Sequence, residues 1–290
     1  MLSRPRPIAH LVLAVRDLEA ARVTYERLGF TLTPVARHPF GTANSLAQFG
    51  SSFLELLAVA DARAIPEPTL TQFSFAAFNR DYLRRREGLS MLVLKSTDPA
   101  ADRAAFSGRG LSVYEPFRFE RSAGGPDGIG RKVAFSLTFT SDARFHGAAG
   151  FFTCQHHYPE NFWRPEYQRH ANGAVGIAAA VMVTRDPADF HEFLTHFTGR
   201  HDMKSTSLGV TFDLGEGSVE VLSPVGFRAF FGEDAGPDPR RFTAFRIAVS
   251  DLAKTQALLG ANAVPFAELS GALVVPSTFA HGAAIAFVGA

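Results

Sequence analysis

Near its start the chain places a histidine inside one apolar strand-like run and a glutamate inside another. His10 lies in "IAHLVLAVRDLEAAR" (8–22), where Ile8 to Val15 is rich in branched apolar residues and a charged helix start follows at Arg16-Asp17. A strand that runs into a helix has no local need for an imidazole. The plain reading is a core or edge histidine held by a hydrogen bond; the other is a group placed there for chemistry. Glu55 sits between apolar neighbours in "FLELL", where an unpaired carboxylate would be costly to bury. Further on, "FFTCQHH" gathers Cys154, Gln155 and His156 in one strand-like run. Cys154 is the single cysteine, which excludes an internal disulfide and a cysteine-rich zinc site, and reads as a packed core residue.

The elements that would position these groups recur along the chain. "IAHLVLAVRDLEAAR" (8–22) lies without a gap over "LSMLVLKSTDPAADR" (89–103), "IAAAVMVTRDPADFH" (177–191) and "FTAFRIAVSDLAKTQ" (242–256). Each copy is an apolar strand, an aspartate, then an amphipathic helix. Asp17, Asp98, Asp186 and Asp251 fall near the helix starts, where a carboxylate caps free N–H groups. Strand-like runs broken by Gly, Pro and polar residues follow each helix, three of them after the first. The unit is β-α-β-β-β, written four times. An α+β fold of four such modules is expected, paired into two domains with concave mixed sheets. Residues 1–157 and 172–290 form the pairs, 158–171 the linker, and 61–87 an insertion with a helix at "FAAFNRDYLRRR". The run Arg84-Arg85-Arg86 reads as a solvated helix end. "SAGGPDGIG" (122–130) has no following helix and reads as a loop, not a phosphate cradle.

Composition bounds the partners. The 290 residues carry 29 Lys+Arg against 28 Asp+Glu, so net charge +1 makes no case for nucleic acid or an anionic membrane. No apolar run approaches the roughly 20 residues of a membrane span. "MLSRPRPIAH" lacks the apolar segment of a signal peptide, so a cytoplasmic protein is expected. Twenty-eight Phe against one Trp point to a Phe-packed interior or an apolar cleft.

Four β-α-β-β-β units with a His on the first strand and a Glu on the last resemble the vicinal oxygen chelate superfamily, which includes glyoxalases, extradiol dioxygenases and bleomycin-binding proteins. "HLVLAVRDLEAA…GF…RHPFGTANSLAQFGSSFLELLAV" (10–59) is similar to its glyoxalase-like group, with His38, Gly41, Thr42 and Asn44 in an "HP-x-GTAN" signature. The resemblance implies a divalent metal (Zn, Mn, Ni or Fe) in the cleft between paired units, held by first- and last-strand side chains. Carried over, these are His10 and Glu55 from unit one. Unit two offers Met91, a poor ligand, and then Gln155 or His156. Gap-free register from Gly50 and Gly150 picks Gln155, whereas ligand chemistry favours His156, and a one-residue bulge would switch them. Ala179 and Ala244 stand where His10 does in the later units. Glu220 alone matches Glu55 and could instead pair with an Arg, so the C-terminal pair is expected to be metal-free.

The activity implied is a metal-dependent lyase or isomerase on a small oxygen-rich molecule, with enolate or alkoxide stabilisation and Glu55 accepting a proton. His38 is a further catalytic candidate. Asn44 and Trp163 are expected to line the cleft; a turn, a loop cap and linker packing are the plain readings of the three. The alternatives are a non-haem Fe(II) dioxygenase using His10, His156 and Glu55, and a non-enzymatic small-molecule binding protein. A homodimer is a further expectation.

Overall fold

The computed structural model describes residues 6–124, 130–237 and 239–290. Unit one comprises β1 (Ile8–Ala14), α1 (Leu18–Arg27), β2 (Ala36–Arg37), β3 (Thr42–Gln48) and β4 (Phe53–Val59). The insertion carries α2 (Phe75–Arg85). Unit two comprises β5 (Gly88–Lys95), α3 (Pro99–Ser107), β6 (Ser112–Val113), β7 (Phe117–Gly124), β8 (Gly130–Ser141) and β9 (Gly150–His156). A short α4 (Pro159–Phe162) leads to unit three: β10 (Ala174–Val183), α5 (His191–Thr198), β11 (Lys204–Thr206), β12 (Gly209–Asp213) and β13 (Ser218–Leu222). After α6 (Pro224–Phe231), unit four follows with β14 (Arg241–Val249), α7 (Leu252–Ala261), β15 (Ala267–Leu269), β16 (Ala272–Val275) and β17 (Ala284–Gly289).

Asp17, Asp98 and Asp251 cap α1, α3 and α7 through backbone N–H groups three residues on. Asp186 departs from this pattern: its carboxylate accepts from Ala188 N–H at 2.9 Å in a turn, and α5 starts later, without a side-chain cap. Unit two has one strand more than its sequence suggests. "LSVYEPFRFER" breaks around Pro116, which has no N–H to donate, and β6 and β7 pair separately with the long β8. The Gly-rich run 122–130 lies largely outside the described residues.

Two mixed sheets result, ordered β2-β3-β4-β1-β5-β9-β8-β6, with β7 also on β8, and β11-β12-β13-β10-β14-β17-β16-β15. In each, the first strands of two units pair antiparallel at the centre, and each takes its unit's last strand as a parallel neighbour. In the first sheet Val12 lies opposite Met91 and His10 opposite Val93, which relates units one and two by a local two-fold axis.

Phenylalanine fills the concave face of the first sheet, with Phe53, Phe75, Phe135, Phe139 and Phe152 in one cluster. The largest cluster lies elsewhere. It joins the back faces of both sheets with α1, α3, α5 and α7, from Leu11, Tyr25, Phe106 and Phe151 to Phe193, Phe197, Phe245 and Leu259. The two sheets thus share a core. Phe151, on β9, is fully buried, with its ring 4.8 Å from Phe193, 5.4 Å from Phe197 and 5.6 Å from Phe242, all in the second half of the chain. Phe151→Ala is expected to cost about 3–5 kcal/mol in denaturant unfolding while leaving one transition for the whole chain. A loss below about 1 kcal/mol, or two separate transitions, would show that the halves do not depend on this contact.

Candidate functional site

The "HPFGTAN" run builds one wall of the site. Gly41 has φ +86°, and a Cβ there would strike the backbone of Asp61, so the turn requires glycine. The turn is closed by His38 N–H donating to Thr42 O at 2.8 Å, and it sends β3 back across the sheet. His38 and Asn44 then face the cavity beside Glu55 of β4. On β1 a bulge between Ile8 and His10 interrupts the alternation, so that Ile8 joins the shared core while His10 lines the cavity.

These side chains form a chain of polar contacts. His38 Nδ1 lies 2.8 Å from Thr42 Oγ1 and its Nε2 3.3 Å from Asn44 Nδ2. Asn44 Nδ2 donates to Glu55 Oε1 at 2.6 Å. Glu55 Oε2 is 3.7 Å from His10 Nε2, beyond hydrogen-bonding distance. The His10 ring stacks on Phe53 at 4.2 Å. The cavity is small, about 40 Å³, and opens to the outside; Phe40, Phe53, Phe75, Phe119, Phe135, Phe152 and Phe162 line it together with the polar groups.

Burial sets the charges. Glu55 is only 5 % exposed. Desolvation pushes its carboxyl up to about 7, against the Asn44 hydrogen bond and the positive charge of Arg121. The same desolvation holds His10 well below the usual imidazole range, and takes His38 down to about 3 with help from Arg121. Both imidazoles are neutral at pH 7. Arg121, half-buried on β7, is itself lowered by desolvation and supported by Glu55. Three buried atoms around this cavity have no hydrogen-bond partner among the described residues: His10 Nδ1, Asn44 Oδ1 and Arg121 Nε. Unmet donors and acceptors around one cavity mark a place built for a polar ligand.

Sequence reasoning missed Arg121. The signal was present in "FRFER": Phe117, Phe119 and Arg121 share one strand face, and a face that carries two phenylalanines points to the cleft.

The other expected site residues fall elsewhere. In unit one Val12 lies opposite Glu55; its counterpart Val93 lies opposite Phe152. Phe152, not Gln155 or His156, therefore stands at the level of Glu55. The register drawn from Gly50 and Gly150 fails because the two are not equivalent. Gly50 belongs to a turn closed by Phe49 N–H to Ser52 O, whereas Gly150 is already in β9, opposite Met91. Gln155 points to the other face and donates to Thr97 O at 2.9 Å. His156 stacks on Trp163 at 5.9 Å, and the two line a separate depression with Lys95 and Thr97. Trp163 thus does not line the cavity that holds Glu55. Cys154 does, as a buried thiol raised by desolvation.

The metal that the resemblance implies needs a third donor. His10 and Glu55 supply two, the symmetry-related positions hold Met91 and Phe152, and the half-buried Arg121 guanidinium already brings positive charge to Glu55. Among the described residues no group of three His, Cys, Asp or Glu side chains is placed to hold a metal ion. The residues do not fit a metal held in that way.

The family model for a glyoxalase-like domain matches residues 8–198. The chain belongs to this glyoxalase-like family. No curated protein matches it. Among solved structures, a hypothetical protein from Staphylococcus aureus is similar over 98 % of this chain and 99 % of its own, at 12 % identity and TM-score 0.69. A mutant 4-hydroxymandelate synthase from Streptomyces coelicolor matches over 98 % and 92 %, at 11 % identity and TM-score 0.59. A trihydroxybiphenyl dioxygenase from Sphingomonas wittichii matches over 98 % and 91 %, at 14 % identity and TM-score 0.52. At these identities the likeness is one of fold, that of the vicinal oxygen chelate proteins. No helix of the described glyoxalase-like chain is long and apolar enough to cross a membrane.

The raised Glu55 carboxyl carries a stability consequence with a definite sign. The folded state binds this proton more tightly than the unfolded chain, so stability is lost as pH rises from the ordinary carboxylate range through about 7. Glu55→Gln, which keeps the shape and the Asn44 contact, is expected to raise the melting temperature by roughly 2–5 °C at pH 8 and to leave it unchanged at pH 4.5. Melting curves of both proteins across that range check this; a variant less stable at pH 8 would mean that the charge is well solvated.

Proposed function

We propose that this protein catalyses proton transfer at the carbon beside a carbonyl of a small substrate, as a lyase or isomerase. Glu55 takes the proton and Arg121 balances the enolate oxygen. The observation that carries this reading is a buried carboxyl sharing a ring-lined cavity with a half-buried guanidinium and several unpartnered polar atoms. The C–H bond breaks with its proton going to Glu55 Oε2, and the electron pair moves onto the carbonyl oxygen as the enolate forms. The proton then returns to a neighbouring carbon, or a leaving group departs.

Asn44 holds Oε1 and leaves Oε2 free for the substrate, and His38 in turn orients the Asn44 amide. A carboxyl poised near neutrality takes and returns a proton at little cost, which is what general base catalysis needs. Burial strengthens the Arg121–enolate attraction relative to water. The metal-dependent and Fe(II) dioxygenase readings both need donors that Met91, Phe152 and the displaced His156 do not supply at this cavity. A binding protein without turnover would use the same cavity, and catalysis separates the two.

The test is hydrogen–deuterium exchange, followed by proton NMR in D2O, over a panel of small aryl ketones and 2-oxo acids. Exchange by the wild type is expected to rise with pH through about 7, since the base must be ionised. Glu55→Gln is expected to slow it by about 100-fold or more, Arg121→Gln to slow it as well, and a chelator to leave it unchanged. Exchange lost to the chelator and restored by Zn or Fe would return the metal reading. Exchange retained by Glu55→Gln would sink the proposal.

A further inference from the structure

Beside the ring-lined cavity lies a second chamber of about 220 Å³, and the two share Leu46, Arg121 and Phe162. Three arginines line it, Arg37, Arg121 and Arg164, with no Asp or Glu among its described lining residues. In a chain of net charge +1 such a one-signed patch is not a general bias. Two of the guanidinium groups have buried atoms with no hydrogen-bond partner among the described residues, Arg121 Nε and Arg164 Nη2. The segment bearing Arg164 is pinned: Gln48 Nε2 donates to Phe162 O at 2.8 Å, and Gln48 Oε1 accepts from Arg164 N–H at 3.0 Å. Gln48, Asn161 and Tyr167 add polar side chains to the same walls.

Clustered guanidinium groups repel one another and leave donors unmet until an oxyanion joins them; their planar forks suit carboxylate and phosphate oxygens. We infer that this outer chamber binds the carboxylate or phosphate group of a substrate whose apolar body lies in the ring-lined cavity. The inference rests on the proposed function only in taking that cavity as the seat of the reacting part. The ligand is then an amphiphilic small molecule, apolar at one end and anionic at the other, and Arg37 and Arg164 select for its charge.

Isothermal titration calorimetry of the whole protein with three probes tests this: 4-phenylbutyrate, 3-phenylpropyl phosphate and the neutral 4-phenylbutyramide. At least one anion is expected to bind about 10-fold or more tightly than the amide, and the better anion identifies the group the chamber fits. Arg37→Gln with Arg164→Gln is expected to bring that anion to within about 2-fold of the amide while amide binding stays unchanged. Arg37 is exposed and Arg164 half-buried, so the variant should melt with the wild type; the exposed Arg37→Gln alone, with a partial loss, covers a double variant that does not. Glu55→Gln is expected to keep the preference for the anion, so a failure of the exchange chemistry and a failure of this chamber read out separately. An amide that binds as tightly as both anions, no binding by any probe, or a preference that survives the double variant would overturn the inference.

Discussion

A carboxyl group held in an interior made of aromatic rings is the constraint around which the first sheet is organised. Desolvation alone would leave Glu55 as a neutral acid, and the surroundings offset only part of that cost. Asn44 donates to one oxygen, Arg121 contributes charge from β7, and His10 stays neutral nearby. The "HPFGTAN" turn, the bulge in β1 and the strand alternation of β7 all serve to bring those groups to one carboxyl. The group is left balanced between its two protonation states, which is a property of the assembled walls and not of Glu55 or its sequence neighbours.

The second sheet shows what the same architecture does without that constraint. Glu220 lies opposite Val181 as Glu55 lies opposite Val12. There the arginine comes from the adjoining central strand, and Arg246 Nε lies 3.0 Å from both oxygens of Glu220. Phe230 and Phe231 cover the Arg246 guanidinium. The concave face is filled by small side chains, Ala179, Ala244, Ala284 and Ala286, with Phe227 and Phe231 of α6 packed among them. Glu220 is thus paired with an arginine in a filled concavity, whereas Glu55 has no ion pair with an arginine among the described residues and lines a cavity. The insertion helix α2 follows β4 as α6 follows β13, but its Phe75 roofs a cavity instead of filling one.

The shared core gives the two sheets different duties. The back faces and four helices tie the halves together through rings such as Phe106 on Phe197 and Phe151 on Phe242. Those contacts stabilise the whole and leave the concave face of the first sheet free to carry unmet polar groups, which by themselves destabilise a fold.

The sequence by itself determined the features that rest on local pattern. Four strand–aspartate–helix runs in one frame specified four units, and with them the α+β class, because side-chain periodicity and helix capping act over a few residues. His10 and Glu55 stood out each as a polar residue in an apolar strand, their pairing came from the family resemblance, and Glu220 was legible as the counterpart of Glu55. What only the tertiary structure decided was how units meet. The level of Phe152 depends on a parallel pairing with β5 and on where the turn before β9 ends, which neither counting from Gly150 (Gln155) nor ligand chemistry (His156) could supply. Trp163, in the segment after β9, lines a neighbouring depression, and Arg121 influences Glu55 from a strand more than sixty positions away. Strand spacing counts residues along the chain, whereas a site is set by hydrogen-bond registers between strands, and one bulge or one shifted turn moves every side chain after it.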